Sequence, residues 1–158
     1  MDEHKFLVTE ECARLARWLR LMGYDAATGS ARQLPALYRL AYNESRAIVT
    51  RNRRVGANGL VRVIHLRSQR LEEQLGQLMR ELRLKGETAK AFSRCDVCNV
   101  SVEPVDRALV KGRVPPYVFE TQQAFHRCPS CRRIYWAATH WQRACRFFDR
   151  LREEASHA

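Results

Sequence analysis

The first ninety residues alternate between short apolar runs and longer segments that carry a helical hydrophobic stripe. Apolar side chains spaced three and four positions apart, such as Leu15, Trp18, Leu19 and Met22, predict one buried face of a helix. Strands are predicted at 6–8, 24–27, 46–50 and 61–66, and helices at 11–22, 34–45 and 70–83. Because strands alternate with helices, we expect an α/β unit with a mostly parallel sheet covered on both faces. Gly23 is expected to end the first helix in the left-handed conformation.

The pattern changes after residue 88. Tight turns, short extended runs and the Pro-containing segment 114–118 replace the helical periodicity between 91 and 140, and they predict a small β-rich module. A last helix is predicted at 141–154, with Cys145, Phe148 and Leu151 facing inward. The predicted organisation is therefore an α/β domain at 1–88, followed by a β-rich module with a C-terminal helix at 89–158.

Four of the six cysteines form two CxxC pairs, which are Cys95 with Cys98 and Cys128 with Cys131. Each CxxC turn directs two thiolates at one point, and two such turns complete the tetrahedron that Zn²⁺ prefers. We therefore predict one structural zinc ion, whose four thiolates leave no coordination position open for catalysis. Two separate redox pairs are the alternative, and His126 and His140 are further candidate ligands.

The remaining features bound the environment of the chain. Cys12 and Cys145 fall on apolar helical faces, where a buried thiol behaves as a small hydrophobic group. Thiols that bind zinc fit a reducing compartment, and the sequence opens without a secretory signal pattern, so we expect a cytoplasmic protein. No stretch of about 18 apolar residues occurs, so no membrane-spanning helix is predicted.

The chain is strongly basic, with 28 Lys and Arg against 17 Asp and Glu and a formal net charge of +11. Of the basic residues 24 are Arg, whose planar guanidinium holds phosphate with two hydrogen bonds and stacks on bases. This balance favours a nucleic acid as partner. Aromatic and basic residues interleave near the C-terminal end, which indicates either a base-stacking surface or the core of a small module. These are Tyr135, Trp136, His140 and Trp141, near Arg127, Arg132, Arg133 and Arg143.

Several segments, in order along nearly the whole chain, resemble the mut-7 C-terminal RNase domain family. They are residues 6–8, 14–25, 48–51, 92–95, 114–121, 128–131 and 139–141. The helix motif at 14–25 and the Val-Pro-Pro-Tyr-Val segment at 114–118 are the most specific. The resemblance implies a PIN-like three-layer α/β/α domain with a mostly parallel sheet, followed by a small β-rich zinc ribbon and a C-terminal helix. It also implies RNA as substrate or partner.

The chemistry that the resemblance implies is metal-dependent phosphodiester hydrolysis, with Mg²⁺ or Mn²⁺ held by carboxylates at the ends of parallel strands. This sequence departs from that pattern, because Thr9 and Asn52 stand where the family has Asp. A further acid is expected near Gln33 or Leu34, and neither is acidic. Of the usual acids only Asp25 remains, and it is the candidate catalytic residue.

Two acids, Glu10 and Glu11, adjoin Thr9. Glu10 follows Thr9 in the strand direction, and since side chains alternate along a strand, we expect it to point away from the space that Thr9 faces. Glu11 is expected to begin the first helix and to stabilise its N-terminus.

We therefore predict an RNA-binding protein derived from a PIN-like ribonuclease, with lost or weak nuclease activity and a place in a ribonucleoprotein. The expected RNA-binding residues are Arg14, Arg17, Arg51, Arg53, Arg54, Arg132, Arg133, His140 and Trp141. The first five are expected near one edge of the sheet. Mg²⁺ or Mn²⁺ is expected only if activity is retained. An active ribonuclease with a rearranged acid set drawn from Asp25, Glu10 and Glu44 is one alternative, and a protein-interaction scaffold is another.

Overall fold

The structure is a computed structural model that describes residues 4–84, 90–137 and 139–157. Its larger sheet has four strands in the order β2-β1-β3-β4, and all neighbouring pairs are parallel. The strands are β1 (Lys5–Thr9), β2 (Asp25–Gly29), β3 (Ala47–Thr50) and β4 (Val63–His65). The predicted parallel sheet is therefore confirmed. β1 and β2 are longer than their predicted bounds, and β3 and β4 are shorter.

Helices cover both faces of this sheet. The helices are α1 (Ala13–Leu21), preceded by a 3₁₀ turn at Glu10–Cys12, α2 (Leu34–Asn43), α3 (Leu71–Leu82) and the C-terminal α5 (Thr139–Ser156). Phe6 and Val8 of β1 are buried in the same core as residues of α1, α3 and α5. Leu7, between them, is buried against α2 on the opposite face. Successive side chains of β1 point to opposite faces, so this strand contributes to the cores on both sides of the sheet. The sheet therefore lies between two layers of helices, which is the expected three-layer α/β/α arrangement.

The end of α1 follows the prediction for Gly23. Its φ is +91°, and its amide donates to the Arg20 carbonyl while the Tyr24 amide donates to the Leu19 carbonyl. This pair of bonds is the Schellman arrangement, which satisfies carbonyls at a helix end. A Cβ at this position would lie 2.3 Å from the Lys90 carbonyl oxygen. Gly23 is therefore required both for the turn and for the close approach of the chain that enters the second module.

The second module contains a three-stranded antiparallel sheet, in the order β5-β6-β7. Its strands are β5 (Glu103–Val105), β6 (Phe125–Arg127) and β7 (Ile134–Trp136), with a 3₁₀ turn at Arg107–Val110 and a short helix α4 (Pro116–Thr121). A small core of Val110, Val114, Val118 and Phe125 holds these elements together. The absence of helical periodicity at 114–118 does not exclude a short helix, because Pro116 starts α4 at a position where the missing amide costs no hydrogen bond.

The C-terminal helix α5 packs on the first unit. Ala144, Phe148 and Leu151 are buried in the core with α1 and α3, and Cys145 is also buried. The predicted inward face of the last helix is confirmed. The division of the chain at residue 88 stays a prediction, and α5 follows the module in sequence while packing on the α/β unit in space. None of the helices in the described ranges is long and apolar enough to cross a lipid bilayer.

Candidate functional site

The strand order places one candidate site at the ends of β1 and β3. From β1 the chain leads to β2, its neighbour on one side, and from β3 it leads to β4, on the other side. The connections therefore leave the neighbouring strands β1 and β3 in opposite directions. In parallel α/β sheets, ligands bind in the crevice outside the carboxyl ends of strands at such a point. Thr9 ends β1 and Thr50 ends β3, and both side chains are fully buried.

The Glu11 carboxylate lies at this position. Its Oε1 atom accepts hydrogen bonds from the hydroxyl groups of Thr9 at 2.6 Å and Thr50 at 2.9 Å. The same atom accepts from the amides of Arg51 at 2.9 Å and Asn52 at 3.2 Å. The two hydroxyl oxygens are themselves 2.8 Å apart. Glu11 does lie in the 3₁₀ turn that begins the first helix, as expected, but its carboxylate also joins the ends of two strands.

The hydrogen bonds decide the charge state of Glu11. Desolvation raises the pKa of its carboxyl group, but the bonds from the Thr9 hydroxyl, the Arg51 amide and the Thr50 hydroxyl outweigh it and lower the pKa below the usual value. Four donors on one oxygen stabilise the ionised form. Glu11 is therefore an anion held in place by neutral groups.

The neighbouring Glu10 makes different contacts. One of its carboxylate oxygens accepts from the Ser30 hydroxyl at 3.0 Å, and the other accepts from the Ala31 amide at 2.9 Å. These groups follow the end of β2, so Glu10 is directed away from the Thr9 hydroxyl. This agrees with the expectation from the alternation of side chains along a strand. Backbone amides lower the pKa of Glu10, its own first and that of Ala31 next.

Asp25 lies at the opposite edge of the sheet. It pairs in register with Lys5, the first residue of β1, whereas Thr9, the last, pairs with Gly29. Its carboxylate binds Arg46 at 2.6 and 3.2 Å and accepts from the Asn99 amide group at 2.7 Å. The expectation that Asp25 shares a pocket with Thr9 and Asn52 is therefore corrected, because Asp25 begins its strand rather than ending it. Its catalytic role stays a prediction, and its contacts are those of a structural ion pair.

The rearranged acid set does not assemble either. Glu44 binds the same Arg46 guanidinium at 2.6 Å, next to Asp25, while Glu10 lies at the other edge of the sheet. At the further expected acid position, Gln33 precedes α2 and is exposed, and Leu34 packs against the core on the α2 face.

The donor set at the strand ends does not fit Mg²⁺ or Mn²⁺. These ions need anionic oxygens with open lone pairs in a near-octahedral arrangement. Three of the four carboxylate oxygens of Glu10 and Glu11 already accept hydrogen bonds from the protein, and Thr9, Thr50 and Asn52 are neutral. Within the described side chains, no three acids lie close enough together to share an ion.

The four paired cysteines come together in one group that could hold a metal ion. The sulfur atoms of Cys95, Cys98, Cys128 and Cys131 all lie within 4.8 Å of one another. Those of Cys95 and Cys131 are 3.8 Å apart, close to the edge of about 3.8 Å that a tetrahedral site with Zn–S bonds of about 2.3 Å requires. The cluster can hold one metal ion such as zinc. The close approach of all four sulfur atoms favours this arrangement over two separate redox pairs. His126 lies on β6 and is not part of the cluster.

The other two cysteines are buried, as expected. Burial raises the pKa of Cys12 to about 11, and it also raises the pKa of Cys145. Both thiols therefore stay protonated at neutral pH and act as small apolar groups.

Asp96, between the first two ligands, connects the metal centre to α1. It accepts from the Tyr135 hydroxyl at 2.7 Å and from Arg17 Nε at 2.6 Å, and its side chain is 5% exposed. The Tyr135 oxygen also lies 3.0 Å from the Cys95 sulfur. Desolvation raises the pKa of Cys95, but Tyr135 and backbone amides lower it more, to about 7. Arg20 adds bonds of 3.0 Å to the Asp96 and Val97 carbonyls.

The predicted RNA-binding arginines fall in two groups rather than at one edge. Arg51 and Arg53 line a hollow of about 610 Å³ at the ends of β3 and β4, together with His65, Leu66 and Arg67, and Arg54 is exposed in the same turn. Arg14, Arg17 and Arg133 line a cleft of about 750 Å³ between α1, α5 and β7. Arg132 is exposed in the second CxxC turn with a φ of +66°. The side chains of His140 and Trp141 lie outside the described part of the chain.

The sequence did not identify Glu11 or Asp96 as parts of these sites, and it named Tyr135 only as part of a base-stacking surface or a small core. For Glu11 a signal was present, since two acids directly follow a predicted parallel strand, where side chains from different strands converge. Asp96 and Tyr135 are 39 residues apart, and their contact depends on how the module folds around the metal.

Comparisons with known proteins identify the family. No curated protein and no solved structure matches the chain. A family model of the Mut7-C RNAse domain matches residues 4–148, which is nearly the whole described chain. The chain therefore belongs to the Mut7-C RNAse domain family.

Proposed function

We propose that this chain is an RNA-binding protein, derived from a ribonuclease, whose nuclease activity is weak or lost. The observation that carries the proposal is the Glu11 carboxylate, which accepts four hydrogen bonds at the ends of β1 and β3. A metal-dependent nuclease needs carboxylates free to bind a cation at this place. Here the carboxylate binds protein hydroxyls and amides instead.

The two substituted positions support this proposal. Thr9 donates to Glu11 where an acid would repel it, and the Asn52 side chain is a neutral amide that accepts from the Arg54 backbone amide. Each family Asp that is replaced by a neutral residue removes one full negative charge from the edge. Divalent cations are therefore held weakly, and an activated water lacks the metal that lowers its pKa.

The same edge suits phosphate. Arg51, Arg53, His65 and Arg67 line the hollow next to Glu11, and Arg54 adds a further cation. Guanidinium groups bind phosphate with paired, charge-assisted hydrogen bonds. We infer that the sugar–phosphate backbone of RNA rests at this edge without being cut.

The metal centre gives the module its shape. We propose that the four-cysteine cluster holds one Zn²⁺, because thiolate ligands in tetrahedral arrangement are typical of structural zinc sites. A protein of this kind acts by positioning RNA, and we expect it in the cytoplasm as part of a ribonucleoprotein.

The test measures binding and cleavage on the same preparation. Labelled single-stranded and hairpin RNA are mixed with zinc-loaded protein and Mg²⁺ or Mn²⁺, and both affinity and product formation are followed. We expect RNA affinity that falls steeply with salt, since phosphate binding releases counterions, and no multiple-turnover cleavage. Arg51→Ala/Arg53→Ala/Arg67→Ala is expected to weaken binding, with Arg39→Ala/Arg62→Ala as an exposed control pair.

Two outcomes contradict the proposal. Metal-dependent turnover that disappears in Glu11→Gln or Asp25→Ala identifies an active nuclease, and the variant that loses activity names the acid. Absence of RNA binding in the wild type favours the protein-interaction scaffold.

A further inference from the structure

A second concave surface lies between the α/β unit and the metal module, with a different set of lining residues from the hollow at the strand ends. It is a cleft of about 750 Å³. One wall is formed by α1 with Arg14, Arg17 and Trp18. The opposite walls are formed by the first half of α5 and by β7.

The charge of this cleft is positive. Four arginines line it, namely Arg14, Arg17, Arg133 and Arg143, against two acids, Glu72 and Asp96. Asp96 is almost fully buried and already binds Arg17 and Tyr135, and Arg133 lies 3.9 Å from it. Arg14 and Arg143 are exposed. The cleft therefore presents uncompensated guanidinium groups to a ligand, which makes it complementary to a polyanion.

Aromatic side chains form the floor and walls. Trp18 and Phe147 make an edge-to-face pair with ring centroids 5.2 Å apart. Tyr135, Trp136 and Phe92 line the side of the metal module. All five rings are half-buried, so part of each surface faces the cleft. Flat aromatic surfaces beside arginines are what nucleobases and their phosphates require, because every base has a π-face that stacks.

These features together favour unpaired RNA over duplex RNA. In a duplex the bases are stacked inside the helix, and no base face is free to reach an aromatic wall. An unpaired nucleotide can place its base against the rings and its phosphate against Arg14 or Arg143. An acidic peptide would satisfy the arginines but would leave the aromatic walls without a matching planar group.

We propose that this cleft binds one or two unpaired nucleotides of RNA, separately from the hollow at the strand ends. The inference rests on the proposed function, since it takes RNA as the partner. The metal centre fixes one wall of the cleft, because Asp96 lies between the ligands Cys95 and Cys98 and holds Arg17 and Tyr135 in place.

The experiment uses the full, zinc-loaded chain and fluorescence anisotropy. The probes are a single-stranded RNA 12-mer, an abasic oligonucleotide with the same backbone, a duplex of the same length and a poly-glutamate peptide. The variant pair Arg14→Ala/Arg143→Ala removes two exposed guanidinium groups from the cleft, and Arg39→Ala/Arg62→Ala removes the same charge elsewhere.

We expect the wild type to bind the 12-mer about tenfold more tightly than the abasic probe, which is the effect of about one stacked base. Arg14→Ala/Arg143→Ala is expected to lose about tenfold in affinity for the 12-mer, and the control pair to lose much less.

Equal affinity for the 12-mer and the abasic probe, or equal losses in the two variant pairs, would overturn this inference and leave RNA binding at the strand ends standing. Tighter binding of poly-glutamate than of RNA would overturn it in favour of a protein partner. No RNA binding by the wild type at all would overturn the proposed function as well.

Discussion

The Thr9 hydroxyl donates a 2.6 Å hydrogen bond to the Glu11 carboxylate, at the end of the strand where a metal-dependent nuclease of this family is expected to hold a cation. A threonine can donate to a carboxylate, whereas an aspartate at the same place would repel it. The substitution at position 9 and the acid at position 11 are therefore matched to each other. Together they form a network in which the Glu11 carboxylate is satisfied by hydrogen bonds within the protein.

The first prediction concerns this hydrogen bond directly. Thr9→Val keeps the shape of the buried side chain but removes the donor to Glu11. We expect a loss of about 1–3 kcal/mol in the free energy of unfolding, because a buried polar group loses its partner. Chemical denaturation measures the loss. Thr28→Val, at an exposed position of β2, is the matched control and is expected to change stability by less than about 0.5 kcal/mol.

The second prediction reverses the substitutions. In Thr9→Asp/Asn52→Asp, new carboxylates are placed beside Glu11, and their mutual repulsion is expected to destabilise the fold at neutral pH more than Thr9→Val does. Mn²⁺ is expected to raise the unfolding midpoint of this variant and to leave that of the wild type unchanged. Thermal unfolding with and without Mn²⁺ makes the comparison, and equal midpoint shifts in both proteins would contradict it.

The third prediction is a pH dependence. Hydrogen bonds lower the pKa of Glu11 in the folded protein, so its contribution to stability is present above the unfolded value of 4.5 and is lost as the pH falls through the folded pKa. Glu11→Gln is expected to flatten the fall in stability below about pH 5. Urea denaturation at a series of pH values measures the slope. Asp25 and Asp96 also have lowered pKa values, so part of the slope is expected to remain in the variant.

The fourth prediction tests whether the ion pair of Asp25 with Arg46 stabilises the fold or contributes to RNA binding. Arg46 is 10% exposed and binds Asp25, Glu44 and the Phe6 carbonyl. Arg46→Met leaves two carboxylates without their cation, and we expect it to cost about 2 kcal/mol or more in the free energy of unfolding. RNA affinity, measured under conditions where the variant is folded, is expected to stay close to that of the wild type. A large and selective loss of affinity would place RNA at this edge of the sheet.

The fifth prediction concerns the metal. A strong chelator is expected to remove one zinc ion per chain, as measured by elemental analysis, and to increase hydrogen exchange between residues 90 and 137. The reason is that the four thiolates lie in the turns on which this module folds. The core around Val8 and Val49 is expected to keep its protection. Unchanged exchange in the module after complete metal loss would contradict a structural role.

Much of the fold follows from local pattern. The unbroken apolar run of Phe6, Leu7 and Val8 predicts a strand buried on both faces, as in parallel sheets covered by helices. Gly23 marks a helix end because left-handed backbone favours glycine. The metal cluster follows from ligand spacing alone, because each CxxC turn positions its own two sulfur atoms.

The arrangement at the carboxyl ends of β1 and β3 could not be derived in the same way. The contact between Thr9 and Thr50 joins residues 41 positions apart and depends on the register of two parallel strands. Asp25 was expected among the strand-end acids because of the family resemblance, although the predicted strand at 24–27 already places it near the start of its strand. The pairing of Arg17 with Asp96 depends on how α1 packs against the metal module, which periodicity does not encode.

The most direct test of the central claim is a Mn²⁺ titration of the zinc-loaded chain in the absence of RNA, followed by electron paramagnetic resonance. We expect the free Mn²⁺ signal to rise in step with the added metal in the wild type and in Glu11→Gln alike. Stoichiometric uptake of Mn²⁺ by the wild type that is lost in Glu11→Gln would show that the strand ends still hold a catalytic cation, and it would contradict the account.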